Sequence, residues 1–151
     1  GTKFELDIVG TGSLESELRE FALNNEIRAN FLGQINFEEL QKLYSEYQYF
    51  MMFSDYEGHP KSLIEAMSAG CPILASNTVG SSKSLVRVSI NGFLFDPLSI
   101  ESILSKLNLI SKLDTMKLNQ MGNQSLIIIR NYSKINLSKN FSKLLEKIDF
   151  N

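Results

Sequence analysis

Residues 49–76 constrain this chain more tightly than any other stretch. Tyr49, Phe50, Met51, Met52 and Phe53 form an apolar run. Glu57-Gly58-His59-Pro60 then turns the chain, and helix-forming residues follow as far as Gly70. Cys71-Pro72 opens a second apolar run, Ile73-Leu74-Ala75. Strand, turn, helix and strand in this order predict a right-handed crossover between parallel strands. A strand that is apolar throughout is expected to be covered on both faces. Helix 60–69 is stopped by Gly70, and Pro60 suits its first position, where a missing N–H costs nothing.

The same alternation runs through the rest of the chain. Residues 4–9 alternate apolar and acidic side chains and end in Gly10-Thr11-Gly12, a strand closed by a glycine turn. Ser13 is placed to cap the next helix, on which Leu14, Leu18, Phe21 and Ala22 recur at helical spacing. Ala29-Asn30-Phe31-Leu32-Gly33 reads as a second strand, and Asn36 as the cap of a helix over 37–47. Strands at 72–76 and 93–95 follow, with one or two helical turns at 81–86 between them. After Pro97 the pattern is helical: Ile100, Ile103, Leu104, Leu107 and Ile110 form one stripe, and 116–130 and 133–148 form two more segments. The last is Lys-rich, as a solvated helix face would be. The expected fold is α/β: a Rossmann-like, mostly parallel sheet of about five strands flanked by helices, with a helical C-terminal segment. No repeat, linker or boundary divides it, so residues 1–151 read as a single domain.

Composition narrows the function. A net charge of −2 gives no basic field for nucleic acid or an anionic membrane. One cysteine, Cys71, permits no internal disulfide and points to a reducing compartment, with a buried structural thiol as its ordinary role. One histidine, His59, rules out a multi-histidine metal site. No signal peptide or membrane span is evident in the sequence.

In parallel α/β sheets, ligands bind outside the carboxyl ends of the strands. Residues 10–12, 33–34, 55–61 and 77–82 all follow strands and are expected at that edge. The N–H groups of Lys61, Ser62 and Leu63 point out of a helix start and suit a phosphate oxygen. Glu65 lies one turn further in, and helical side chains lean toward the N-terminus, so its carboxylate can reach back to accept from a vicinal diol such as ribose. Glu57 stands before the helix and can accept from the hydroxyls of a second sugar, which Gly58 lets come close. The alternative is a pair of acids favoured by the helix dipole alone.

The stretch Glu57-Gly58-His59-Pro60-Lys61-Ser62-Leu63-Ile64-Glu65-Ala66-Met67-Ser68-Ala69-Gly70-Cys71-Pro72-Ile73-Leu74-Ala75-Ser76 resembles the signature of retaining glycosyltransferases of the GT-B fold. These form the large family 4, or glycosyl transferases group 1, which includes capsular polysaccharide, lipopolysaccharide and glycogen synthase-like enzymes. The family's Glu-x7-Glu motif falls on Glu57 and Glu65. Leu6-Asp7-Ile8-Val9-Gly10-Thr11-Gly12, Phe31-Leu32-Gly33, Asn91-Gly92-Phe93-Leu94-Phe95 and Tyr132-Ser133 also resemble family segments. The match runs over about residues 4–148.

The resemblance implies a C-terminal, donor-nucleotide-binding domain. Glu65 would hold the ribose of the nucleotide. Glu57 would contact the donor sugar near its anomeric carbon, as the catalytic residue of the set. Gly10, Gly12, Gly58, His59, Lys61, Ser62 and Leu63 would complete the donor site. No metal and no cofactor are implied. The substrate would be a nucleotide-diphosphate sugar, most simply a UDP-sugar, and the acceptor a saccharide or a lipid-linked sugar. The cytoplasm, at the inner face of a membrane, is the implied location, and no nucleic acid is involved.

Three departures stand against the family pattern. His59 replaces the usual Phe and is either a sugar contact or an exposed turn residue. Ser84 stands where the loop after the fourth strand often carries an acid. The family also opens with an earlier strand bearing a basic pair for the diphosphate, which leaves Lys61 and Lys83 as the local cations here. In the family's strand order that earlier strand lies between 4–9 and 49–54. Direct pairing of 4–9 with 49–54 is therefore expected, or filling of the gap by another chain. The chain alone is expected to give no sugar transfer. Two other readings stay open: a non-catalytic sugar-nucleotide-binding or interaction module, and a dinucleotide oxidoreductase suggested by Gly10-Thr11-Gly12. Glu15 stands where a full dinucleotide fingerprint needs a third Gly.

Overall fold

Five parallel strands and six helices alternate along the chain in a computed structural model that describes residues 4–55, 57–58, 60–80 and 82–132. His59 and the expected helix over 133–148 lie outside the described residues. The α/β class and the helix-flanked parallel strands are those the alternation predicts. The strands form two ladders rather than one sheet, and the chain divides into two units, Gly1–Leu43 and Tyr44–Asn151.

In the first unit, β1 (Leu6–Val9) pairs in parallel with β2 (Ala29–Gly33), joined by α1 (Glu15–Asn24). Asp7 lies opposite Asn30, whose Nδ2 donates to Asp7 Oδ1 at 2.7 Å. Arg19 on α1 is bonded to Glu15 at 2.8 Å and lies 4.6 Å over the Phe31 ring. Leu14, not Ser13, is the N-cap of α1, and no side chain caps it. Of the apolar stripe on this helix, Ala22 is buried while Leu14, Leu18 and Phe21 are exposed. The Asn36 cap forms as expected: Glu39 N donates to Asn36 Oδ1 at 2.9 Å at the start of α2 (Phe37–Glu46).

In the second unit, β3 (Phe50–Met52), β4 (Ile73–Ser76) and β5 (Gly92–Phe95) pair in parallel in that order. Between them run α3 (Lys61–Ser68) and α4 (Ser82–Leu85), and α5 (Ile100–Ile110) and α6 (Thr115–Asn131) follow. The central strand β4 is wholly buried. Leu74, Phe93, Phe95, Ile110 and Met121 form the core, with Met51, Ile103 and Leu107 packed against it.

One expectation about β3 is corrected: it is three residues long and half-buried, not covered on both faces. Among the described residues its ladder partner is β4, and that of β1 is β2.

The end of α3 is fixed by local and distant bonds together. Gly70 has φ +82°, which an L side chain rarely adopts. Gly70 N donates to Met67 O at 3.1 Å and Cys71 N to Ala66 O at 3.0 Å, a Schellman stop. Ser125 Oγ on α6 donates to Cys71 O at 2.7 Å. Ser125 Oγ also lies 3.4 Å from Asn91 Nδ2, which donates to Leu85 O at 3.1 Å, while Asn91 Oδ1 accepts from Arg87 N at 2.7 Å. Asn91 is therefore the buried hub that joins α4, β5 and α6.

Cys71 is buried as expected, and its Sγ donates to Tyr44 O at 2.6 Å. Burial pushes its thiol up from 9.0 to about 11. The fold thus favours the protonated thiol. This contribution to stability is fully present below about pH 9 and is lost as pH rises toward 11. At about pH 8 the native chain is expected to resist iodoacetamide, because both access and thiolate are lacking, and the denatured chain to be labelled. Equal labelling rates, read by mass spectrometry, would contradict the buried placement.

Candidate functional site

The start of α3 lies beyond the C-terminal end of β3. Pro60 is buried and serves as the N-cap, with φ −74° and ψ 93°, one position earlier than the sequence predicts. Pre-proline and proline geometry both favour such an extended entry. Lys61, Ser62 and Leu63 are then the first three helical residues, and Ile64 N closes the first turn on Pro60 O at 3.3 Å. The N–H groups of these three residues have no partner within the helix, and the N-cap Pro60 supplies no side-chain cap. Proline contributes neither an N–H nor a side-chain acceptor here. The helix end is left as a positively polarised cluster of donors.

The side chains around that cluster differ in access. Lys61 is exposed, Ser62 half-buried and Leu63 fully buried, so Leu63 offers its backbone alone. Glu65 is half-buried. Its charge is felt by Tyr44, a buried phenol on α2 pushed up to about 12, first by burial and then by Glu65 and Cys71. Tyr44 therefore stays protonated at neutral pH. Its ring meets Phe50 edge-on, with centroids 5.8 Å apart.

Glu57 is held by its backbone. It forms a parallel bridge with Val79, and Gly80 N donates to Glu57 O at 2.9 Å. The loops after β3 and β4 are thus knit together, as expected of two segments that both follow strands. A Cβ at Gly80 would make ordinary van der Waals contact with this join, with Glu57 O at 3.4 Å and Gly58 O at 3.6 Å. Among the described residues, a Cβ on Gly58 would meet nothing within 4 Å, so the space above Gly58 is open to them.

Glu57, Gly58, Lys61, Ser62, Leu63 and Glu65 are brought to one loop and the first turns of one helix. Gly10 and Gly12 lie in the first unit, where Gly10, at φ +115°, donates from N to Gly33 O at 2.7 Å. There the two strand-exit turns at 10–12 and 33–34 meet each other. His59 is outside the described residues. Lys83 is exposed on α4. Sequence reasoning placed 77–82 at this edge but gave no role to Ser76, Thr78 or Gly80. The available signal was the density of hydroxyls just past an apolar strand, where buried carbonyls need donors. Among the described residues no group of three or more His, Cys, Asp or Glu can hold a metal ion. No described helix is long and apolar enough to cross a membrane.

The chain resembles known proteins over most of its length. An uncharacterised glycosyltransferase of Haemophilus influenzae is 33% identical over 131 residues, which cover 85% of this chain and 36% of that protein. The lipopolysaccharide 1,6-galactosyltransferase of Salmonella typhimurium is 24% identical over 110 residues, covering 70% of this chain and 31% of the other. Among solved structures, a TarM variant from S. aureus, crystallised with fondaparinux, α-GlcNAc-glycerol and UDP, superposes with a TM-score of 0.80 at 20% identity. That match covers 93% of this chain and 28% of the other. The chain thus spans about a third of the length of the curated relatives it matches. The sequence model of the glycosyl transferases group 1 family matches residues 1–126, which include β1 to β5 and the whole of the α3 site, and the chain belongs to that family.

Proposed function

We propose that this chain is the donor-binding part of a retaining, family 4 glycosyltransferase of the GT-B fold. The enzyme transfers a sugar from a UDP-sugar to a saccharide or lipid-linked acceptor. The observation that carries the reading is the uncapped N-terminus of α3, with Glu57 before it and Glu65 one turn inside it. Three backbone donors take the diphosphate without a metal ion, and no cofactor takes part. Lys61 adds a cation at the rim. A bare carboxylate beside a phosphate would repel it, so Glu65 is assigned to the ribose diol and Glu57 to hydroxyls of the donor sugar. The open space over Gly58 leaves room for that sugar. His59 is proposed as a sugar contact. In retention, the acceptor attacks the face from which the diphosphate leaves, assisted by that diphosphate. The relative named as a lipopolysaccharide galactosyltransferase supports a saccharide acceptor, and the UDP in the TarM crystal supports the base. The reaction is placed in the cytoplasm, with peripheral membrane association where the acceptor is lipid-linked.

The test is a titration of the labelled chain with UDP-, GDP- and ADP-sugars, read by amide NMR. UDP-sugars are expected to shift the amides of Lys61, Ser62 and Leu63 at up to millimolar concentration. No shift of these amides with any of the three classes would refute the reading.

A further inference from the structure

The loop that carries Glu57 is pinned at a second point, by a side chain to which the donor-site assignment gives no role. Thr78, exposed in the loop after β4, donates from Oγ1 to Ser54 O at 2.8 Å. Ser76 Oγ, fully buried, accepts from Thr78 N at 3.2 Å and is in short contact with Thr78 Oγ1. Thr78 Oγ1 has one hydrogen, and Ser54 O takes it. The hydrogen between the two hydroxyls must then come from Ser76. The bonds run in one direction: Thr78 N–H to Ser76 Oγ, Ser76 O–H to Thr78 Oγ1, and Thr78 O–H to Ser54 O. Each of the two hydroxyls is polarised by the bond it accepts. Ser82 Oγ lies 2.9 Å from Ser76 O and 2.7 Å from Val79 O, which ties α4 to the same turn.

The strand-exit loop is thus held at Ser54 by a hydroxyl and at Glu57 by the Gly80 N–H. Of these two holds, the first depends on a side chain. We propose that Thr78 is a positioning residue for Glu57: through Ser54 it fixes the path of the loop, and so the place at which the Glu57 carboxylate meets the donor sugar. This rests on the assignment of Glu57 to the sugar. Thr78 itself touches no reacting atom, and the ribose and diphosphate contacts on α3 do not depend on it.

The test compares Thr78→Val, which keeps the branched shape and deletes the hydroxyl, with Thr78→Ser, which keeps the hydroxyl. Two quantities are measured on the whole chain: hydrogen exchange of the Gly80 amide without ligand, and affinity for UDP against UDP-glucose, UDP-galactose and UDP-N-acetylglucosamine. Thr78→Val is expected to speed Gly80 exchange about tenfold and to weaken the preferred UDP-sugar about tenfold, leaving UDP unchanged. Thr78→Ser is expected to restore both. Unchanged Gly80 exchange in Thr78→Val overturns the clamp. Faster exchange with an unchanged ratio of UDP-sugar to UDP affinity, or with equal losses for both, overturns the positioning role. Failure of the unaltered chain to bind any of these ligands overturns the donor reading and the positioning role with it. The exchange arm still decides whether the clamp exists.

Discussion

Gly122→Ala is expected to destabilise the chain by about 2–4 kcal/mol and to lower its melting temperature by about 5–15 °C. A Cβ at this position would lie 2.1 Å from Gly70 O and 3.2 Å from Gly70 C. The obstacle is backbone, which cannot rotate away as a side chain does. It is also held in place: Gly70 is locked at φ +82° by the Schellman bonds that end α3, and Cys71 O next to it accepts from Ser125 of α6. Alanine is the better helix former by about 1 kcal/mol, which favours the variant inside α6. The clash outweighs that gain, because α6 can relieve it only by parting from α3 and drawing Met121 out of the core. Gly12→Ala is the matched control. Nothing lies within 4 Å of a Cβ there, and a change within about 0.5 kcal/mol is expected. Chemical denaturation of both variants checks the pair. A neutral Gly122→Ala would mean that the two helices do not approach as described.

The α/β alternation was legible because it rests on short-range signals. The apolar run Ile73-Leu74-Ala75, the Asn36 cap and the Gly70 stop each act within a few residues, and each is found where the sequence places it. The family signature likewise brings Glu57, Gly58, Lys61 and Glu65 to one helix start. What was not legible depends on partners distant in sequence. Leu14, Leu18 and Phe21 have helical spacing, yet spacing does not say whether a face is covered, and these three are exposed. The apolar run at 49–53 implied a strand buried on both faces, but burial needs neighbours on both sides, and β3 is half-buried. Thr78 reaches Ser54 across 24 positions and Ser125 reaches Cys71 across 54. A hydroxyl that satisfies a remote carbonyl leaves no periodic trace in sequence. Pro60 shows a finer failure. Proline is good both at the first helical position and just before it, and the choice of the earlier place was settled by the extended entry to α3.

The roles proposed for the two acids should separate by ligand, and this is the second large effect expected. Glu65→Ala should weaken UDP by about 10–150-fold, the loss of a hydrogen bond to a charged group worth roughly 1.5–3 kcal/mol. The ribose is present in UDP and UDP-sugar alike, so both should suffer equally. Glu57→Ala should leave UDP unchanged and weaken only the UDP-sugar, since its proposed partners are sugar hydroxyls that UDP lacks. Misfolding would not reproduce this pattern, because it lowers both ligands in both variants. The N–H cluster at Lys61, Ser62 and Leu63 is common to all four measurements and sets their baseline. Calorimetric titration of the two variants with UDP and with the preferred UDP-sugar is therefore the most direct test of the α3 site. The account predicts loss of UDP binding in Glu65→Ala alone, with loss of the sugar's added affinity in Glu57→Ala. Equal losses of UDP in both variants would contradict it.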